Sequence, residues 1–110
     1  MEIDVKEYKR VSVVTVTGRI DSATSSEFEQ ELNELTEAGR VNLVLDLSAV
    51  EFISSAGLRV LVTTRKAVKS AGGDVVLAKP SDQVIETLEI AGLDVLFDKF
   101  PNREAAVASF

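Results

Sequence analysis

Short apolar strands alternate with amphipathic helices along the chain, and this alternation constrains the fold more than any other feature. Two strand-like runs rich in β-branched residues come first, Ile3–Tyr8 and Val11–Thr17, joined by a turn at Lys9-Arg10. Helices and strands then alternate, which gives the order β-β-α-β-α-β-α-β-α. This order predicts an α/β fold: a single domain over residues 1–110 with a small, mainly parallel (mixed) β-sheet, right-handed crossovers and about four helices.

Glycine, proline and capping residues mark the expected boundaries of these elements. Gly18 is expected to end the second strand, and Thr24-Ser25-Ser26-Glu27 has the spacing of a capping box that opens a helix. The later expected elements are the remainder of that helix up to Gly39, a strand at Val41–Leu47, a loop at Ser48–Ser54, a helix at Ser55–Ala71, a strand at Asp74–Ala78, a helix from Pro80 to Gly92 with Val84, Leu88 and Ala91 on its apolar face, a strand at Val95–Phe97 and a helix opened by Pro101.

Composition excludes several classes of function. Eighteen acidic against twelve basic residues give a net charge of −6, which argues against binding to nucleic acid or to an anionic membrane. The chain has no Cys and no His, and so lacks a thiolate nucleophile and the commonest general base and metal ligand. No apolar run approaches the roughly 20 residues that span a bilayer, and the acidic segment Met1–Asp4 does not resemble a signal peptide. These features predict a cytoplasmic protein that is not an enzyme and has no cofactor.

Two adjacent serines, Ser54 and Ser55, stand where the central helix is expected to begin. One of them can cap the helix. A helix N-terminus also stabilises a phosphate, so a modified serine is the alternative interpretation. Gly57 follows inside the helix, where glycine is unfavourable, so we expect either close packing on the sheet or a partner that approaches the serine.

The central helix has a second informative feature on its polar side. Placed on a helical wheel, the residues expected to face the core are Gly57, Val60, Leu61, Thr64, Ala67, Val68 and Ala71. Leu58 and Val62 fall among basic and polar residues such as Arg59. They either pack against a neighbouring helix or form an apolar patch with a basic rim, which would suit a partner that is acidic at the contact.

Three segments resemble the signature of bacterial anti-sigma factor antagonists, the STAS domain family. They are DLSAVEFISSAGLRVL after the third strand, TGRID after the second, and AGGDVVLAKPS around the fourth. The resemblance covers the whole chain in length and in element order.

The resemblance implies a phosphorylated serine and a surface for a partner. By position, Ser55 matches the phosphoacceptor, with Ser54 as the alternative because many members carry Asp where this chain has Ser54. Asp21 and Asp46 match acidic residues beside the site. Together with the patch on the central helix, this gives the expected partner-binding residues Asp21, Ser22, Asp46, Ser54, Ser55, Gly57, Leu58, Arg59 and Val62.

The function implied by the resemblance is a partner switch. The unphosphorylated chain would bind an anti-sigma factor that is also a serine protein kinase, and so release the sigma factor. Phosphorylation of Ser55 would abolish binding, and a serine phosphatase would restore it. ATP and Mg²⁺ would belong to the kinase.

One other function remains as an alternative, and two more are disfavoured because the chain lacks residues that they require. A STAS-type adaptor or ligand-binding module, for a nucleotide, a lipid or a signalling assembly, is the alternative without a phospho-switch. A response-regulator receiver would need an acidic pair where the chain offers only Asp21. A serine hydrolase would need a His base and a Gly-x-Ser-x-Gly turn, and the chain has neither.

Overall fold

Strands and helices follow one another in the predicted order in a computed structural model, which describes residues 1–110. The elements are β1 (Glu2–Tyr8), β2 (Val11–Ile20), α1 (Ser25–Glu37), β3 (Asn42–Ile53), α2 (Ser55–Ser70), β4 (Asp74–Ala78), α3 (Asp82–Ile90), β5 (Lys99–Phe100) and α4 (Arg103–Ala108). A turn of 3₁₀-helix at Asp94–Leu96 precedes β5. The predicted α/β fold, with a small mixed sheet and four α-helices, is confirmed.

The five strands form one sheet in chain order, β1-β2-β3-β4-β5. β1 pairs with β2 in antiparallel fashion, with Val5 opposite Val14, and the other neighbours are parallel. Each crossover moves to the next strand in the same direction, so right-handed connections place α1, α2 and α3 on one face of the sheet. The loops that follow β2, β3 and β4 therefore meet at one edge, where the carboxyl ends of the parallel strands lie.

Two apolar clusters cover the two faces of the sheet. The larger one joins side chains of α1, α2 and α3, among them Phe28, Leu61 and Leu88, to the sheet. The smaller one lies on the opposite face, where Ala106 of α4 packs with strand residues such as Val44. Because β3 is covered on both faces, its apolar run is nearly continuous and lacks the alternation of a half-exposed strand.

β2 and β3 extend further than the sequence predicts. Gly18 does not end β2, and the expected loop at Ser48–Ser54 is wrong because β3 continues to Ile53. The two strands stay paired through two shifts of register, and Gly18 adopts a φ of +100° between them. Such β-bulges accommodate the small and polar residues of this stretch, which resemble a loop in the sequence.

The last strand also differs from the prediction. Val95–Phe97 is not a strand: the N–H of Leu96 donates to the carbonyl of Leu93 at 3.0 Å, which forms a turn. The strand lies at Lys99–Phe100, and α4 begins after the cap Asn102. The short apolar run Val95–Phe97 is therefore a turn with one buried side chain, that of Phe97.

Three alanines predicted on buried helix faces, Ala67, Ala71 and Ala91, are exposed. A methyl group buries little area, so its position on a helical wheel constrains the helix only weakly. None of the helices is both long enough and apolar enough to span a membrane.

Candidate functional site

The start of α2 is fixed by Ser54. This residue has extended backbone angles, and its hydroxyl accepts a hydrogen bond from the N–H of Gly57 at 3.2 Å. Its carbonyl accepts the first helical bond, from the N–H of Leu58 at 2.9 Å. Ser54 is thus the N-cap of α2, one of the two roles that the sequence left open for this pair of serines.

Ser55 is the first residue of α2 and differs from Ser54 in two respects. Its side chain is exposed, whereas Ser54 is half-buried, and its hydroxyl forms no hydrogen bond within the chain. The backbone N–H groups of this first turn, apart from the capped one at Gly57, are not used by the helix. A negatively charged group on Ser55 would lie beside these donors and at the positive end of the helix dipole.

Gly57 is explained by close packing on the sheet. A Cβ atom at this position would lie 2.8 Å from side-chain atoms of both Ile20 and Ile53. The absent side chain lets α2 approach the ends of β2 and β3. Gly57 is buried and offers almost no surface to a partner, so its expected role as a partner-binding residue is corrected to one of packing.

The loop after β2 reaches the same edge of the sheet as the two serines. The N–H of Ser54 donates to the carbonyl of Ile20 at 2.8 Å, which places Asp21 and Ser22 next to the start of α2. Ser22 is exposed and Asp21 is half-buried. The structure therefore brings these two predicted residues into one surface with Ser54 and Ser55.

The carboxylate of Asp21 organises this loop. It accepts hydrogen bonds from the N–H groups of Ala23 and Thr24, each at 3.0 Å, and from the Thr24 hydroxyl at 3.1 Å. The backbone bond from Thr24 is the largest cause that lowers the pKa of Asp21, helped by the positive charge of Arg19. Because Thr24 serves Asp21, its side chain does not cap α1, and the predicted capping box does not form.

Asp46 does not lie beside Ser55, contrary to the expectation. β3 continues from Asp46 to Ile53, roughly 20 Å of strand. The Asp46 carboxylate is buried on the face covered by α4, where it accepts hydrogen bonds from Arg103 at 2.6 Å and from the Ser48 hydroxyl at 2.7 Å. Burial alone raises the pKa of Asp46, but the bonds from Arg103 and Ser48 outweigh burial and lower it.

The first two turns of α2 carry three further predicted partner-binding residues, Leu58, Arg59 and Val62. Leu58 belongs to the core, with 7% of its surface exposed, and its predicted place in a docking patch is wrong. α1 packs beside α2 and widens the buried arc of the helix. Arg59 is exposed and Val62 is half-buried, so these two remain available next to Ser55.

One pair at this edge was missed by the sequence reasoning. The guanidinium of Arg19 lies 4.4 Å from the centre of the Phe52 ring, a cation–π contact between the ends of β2 and β3. The two residues lie opposite each other in the pairing of β2 with β3. This pairing could have been predicted only if the positions of the bulges had been known. Arg19 adds a positive charge near Asp21 at the rim of the site.

The fold and this edge define a small α/β domain that presents an exposed serine at a helix start. The STAS domain family pattern matches residues 2–106, and the chain belongs to this family.

Proteins similar to this chain in sequence or in structure include anti-sigma factor antagonists. BtrV of Bordetella bronchiseptica, assigned as an anti-sigma factor antagonist, is 33% identical over 110 residues, which cover 100% of this chain and 95% of BtrV. The crystal structure of an anti-sigma factor antagonist from Mycobacterium paratuberculosis superposes with a TM-score of 0.88 at 30% identity, over 98% of this chain and 92% of that one. The phosphorylated form of the Bacillus cell fate determinant SpoIIAA shares the fold, with a TM-score of 0.77 at 14% identity, over 99% of this chain and 100% of SpoIIAA. BtrV and the Mycobacterium paratuberculosis protein are named as anti-sigma factor antagonists, in agreement with the expectation that this chain is not an enzyme.

Proposed function

We propose that this chain is an anti-sigma factor antagonist whose binding to an anti-sigma factor is switched by phosphorylation of Ser55. The observation that carries the proposal is the division of roles between two adjacent serines. The hydroxyl of Ser54 is used as the cap of α2, whereas that of Ser55 is exposed and unbonded. A kinase can reach the second hydroxyl without opening the helix.

We use the term switch surface for the surface at the start of α2. It is formed by Ser55, Ser54, Asp21, Ser22, Arg59 and Val62. Val62 contributes apolar area, Arg59 a positive charge, and the serines and Asp21 polar groups at the edge of the sheet. A partner with an apolar contact and an acidic group opposite Arg59 fits this surface. The relatives are named as anti-sigma factor antagonists, which supports an anti-sigma factor as this partner.

Phosphorylation would change this surface by charge and bulk. The kinase transfers the γ-phosphoryl group of ATP: a bond forms between Ser55 Oγ and phosphorus, the bond to ADP breaks, and the hydroxyl proton passes to a base of the kinase. The phosphoserine carries nearly two negative charges beside Asp21. A partner that has approached a neutral hydroxyl would then meet repulsion, a steric obstacle and a cost of desolvation, so the complex separates.

The anti-sigma factor is proposed to be the kinase itself, so that it frees itself from the antagonist by modifying Ser55. A serine phosphatase would remove the phosphate and restore binding. Sigma factors act on RNA polymerase, so the switch is expected to operate in the cytoplasm. A STAS-type adaptor without phosphorylation would keep the binding surface but would not respond at Ser55.

A release experiment tests the proposal. A preformed complex of a sigma factor with a kinase-type anti-sigma factor from the source organism is titrated with this protein and resolved by size exclusion. The proposal predicts that the wild-type chain releases the sigma factor and that Ser55→Asp does so much less well. Ser70→Asp, at the far end of the same helix, is the matched control and should release it as wild type does. Failure of the wild-type chain with every such complex would contradict the proposal.

A further inference from the structure

β3 extends well beyond its neighbour β4. β4 pairs only with the first part of β3, from Asn42 to Asp46, whereas β3 continues to Ile53. Past Asp46, one edge of β3 therefore has no strand partner. Buried backbone N–H and carbonyl groups need a partner, and here the partners come from the start of α3.

Ser81 provides two of these bonds. Its N–H donates to the carbonyl of Leu47 at 3.3 Å, and its hydroxyl donates to the carbonyl of Val50 at 2.8 Å. The same hydroxyl accepts a hydrogen bond from the N–H of Val84 at 3.3 Å and so caps α3. The cap of α3 thus also ties that helix to β3.

Gln83 provides the third bond, at the last residue of β3. Its side-chain oxygen Oε1 accepts a hydrogen bond from the N–H of Ile53 at 3.2 Å. Its nitrogen Nε2 donates to Thr87 Oγ1 at 2.9 Å, and the Thr87 hydroxyl donates to the carbonyl of Gln83 at 2.9 Å. Because Thr87 engages the other end of the amide, the oxygen is held toward Ile53.

The next residue, Ser54, is held from the opposite side. Its N–H donates to the carbonyl of Ile20 on β2 at 2.8 Å. The segment that leads into α2 is therefore fixed by one side-chain bond from α3 and one backbone bond from β2. If the bond from Gln83 were lost, the buried N–H of Ile53 would be unpaired and the segment would be held from one side only.

We propose that Gln83 is a positioning residue for the switch: it restrains Ile53 and Ser54 so that α2 begins at the Ser54 cap and Ser55 points outward. This inference rests on the proposed function and adds to it a residue on another helix. A phosphoryl acceptor reacts fast only when it is held in the geometry that the kinase needs, so a loosened segment lowers the rate.

Two substitutions separate the hydrogen bond from the size of the side chain. Gln83→Met keeps a similar length but removes the acceptor, and Gln83→Glu retains an acceptor oxygen. Gln30→Met is the matched control, because Gln30 is exposed on α1 and bonds only to Glu34 on the same helix.

The first measurement is amide hydrogen exchange in the free protein, followed by NMR. In Gln83→Met, exchange at Ile53 should accelerate about tenfold relative to wild type, while exchange at Val44 in the centre of the sheet should not change. Gln83→Glu and Gln30→Met should stay close to wild type at both amides. Unchanged exchange at Ile53 in Gln83→Met would overturn the inference.

The second measurement is the steady-state phosphorylation of Ser55 by the kinase-type anti-sigma factor that modifies the wild-type chain. Gln83→Met should lower kcat/KM severalfold, Gln83→Glu should restore much of it, and Gln30→Met should match wild type. Faster exchange at Ile53 with an unchanged kcat/KM would overturn the role in the switch and leave the proposed function intact. A wild-type chain that no such kinase modifies would contradict the proposed function and the role of Gln83 together.

Discussion

The hydroxyl of Ser54 accepts a hydrogen bond from the N–H of Gly57 at 3.2 Å, while the hydroxyl of the adjacent Ser55 faces solvent. Two adjacent serines that look equivalent in the sequence therefore have different roles. One stabilises the start of α2, and the other is open to a modifying enzyme. This difference gives each serine its own test.

Removal of the cap should affect stability, and removal of the exposed hydroxyl should not. Ser54→Ala should lower the free energy of unfolding by about 1 kcal/mol, because the N–H of Gly57 loses its acceptor. Ser55→Ala should change it by less than about 0.5 kcal/mol. Urea denaturation of both variants measures the difference, and equal losses would contradict the assigned roles.

Reversal of the charge at Arg59 should weaken the complex without unfolding the chain. Arg59 is exposed one turn after Ser55, and Arg59→Glu places a negative charge where an acidic partner is expected. The dissociation constant should rise at least about tenfold, and the association rate should fall more at low salt than at high salt. Titration calorimetry against the anti-sigma factor measures the dissociation constant.

Lys6→Glu is the control for this charge reversal. Lys6 is exposed on β1, away from the start of α2, and its reversal changes the net charge by the same amount. It should leave the dissociation constant near that of wild type. Equal weakening by both variants would show that the total charge, rather than the switch surface, controls binding.

Leu58 should behave as a core residue. With 7% of its surface exposed and with neighbours in the main apolar cluster, Leu58→Ala should lower the free energy of unfolding by about 2–5 kcal/mol. Ile90→Ala, at a side chain that is 81% exposed, should cost less than about 0.5 kcal/mol. Thermal or urea denaturation checks both, and a stable Leu58→Ala variant with weakened binding would return Leu58 to the docking patch.

Asp46 should make stability depend on pH. The pKa of Asp46 is lowered in the folded chain, so its ion pair with Arg103 stabilises the fold at neutral pH. This stabilisation is complete above the pKa of the unfolded chain, about 4, and is lost as the pH falls through the lower folded value. Asp46→Asn should cost about 1–3 kcal/mol at pH 7 and progressively less below about pH 4.

Urea denaturation at several pH values measures this difference between Asp46→Asn and wild type. A difference that stays constant down to pH 3 would contradict the role of the ion pair. The substitution should leave phosphorylation of Ser55 unchanged, because the carboxylate lies on the face covered by α4. Slower phosphorylation in a stable Asp46→Asn variant would place Asp46 back at the site.

The order of elements could be predicted because it depends on local patterns. β-branched runs, glycines after helices and capping residues are visible in any short window of the sequence. Where a local signal was ambiguous the prediction failed: the polar and small residues Ser48–Ser54 resemble a loop, but sheet pairing with β2 keeps them extended up to Ile53. The bulges that permit this pairing have no sequence signal of their own.

Residue roles that depend on distant partners could not be predicted. Asp46 is bonded to Arg103, 57 residues away, and Ile53 to Gln83, 30 residues away. A helical wheel shows which residues share a face but not how wide the buried arc is, so it could not place Leu58. The serines were found because their signal, a helix start with small neighbours, is local.

The most direct test of the central claim is to locate the phosphate. The protein is incubated with ATP, Mg²⁺ and kinase-type anti-sigma factors from the source organism, and its intact mass is measured before fragments are mapped. We predict a gain of a single phosphate, on Ser55, which is abolished in Ser55→Ala and retained in Ser54→Ala. A phosphate on Ser54, or no modification of a chain that still binds the anti-sigma factor, would contradict a switch at Ser55.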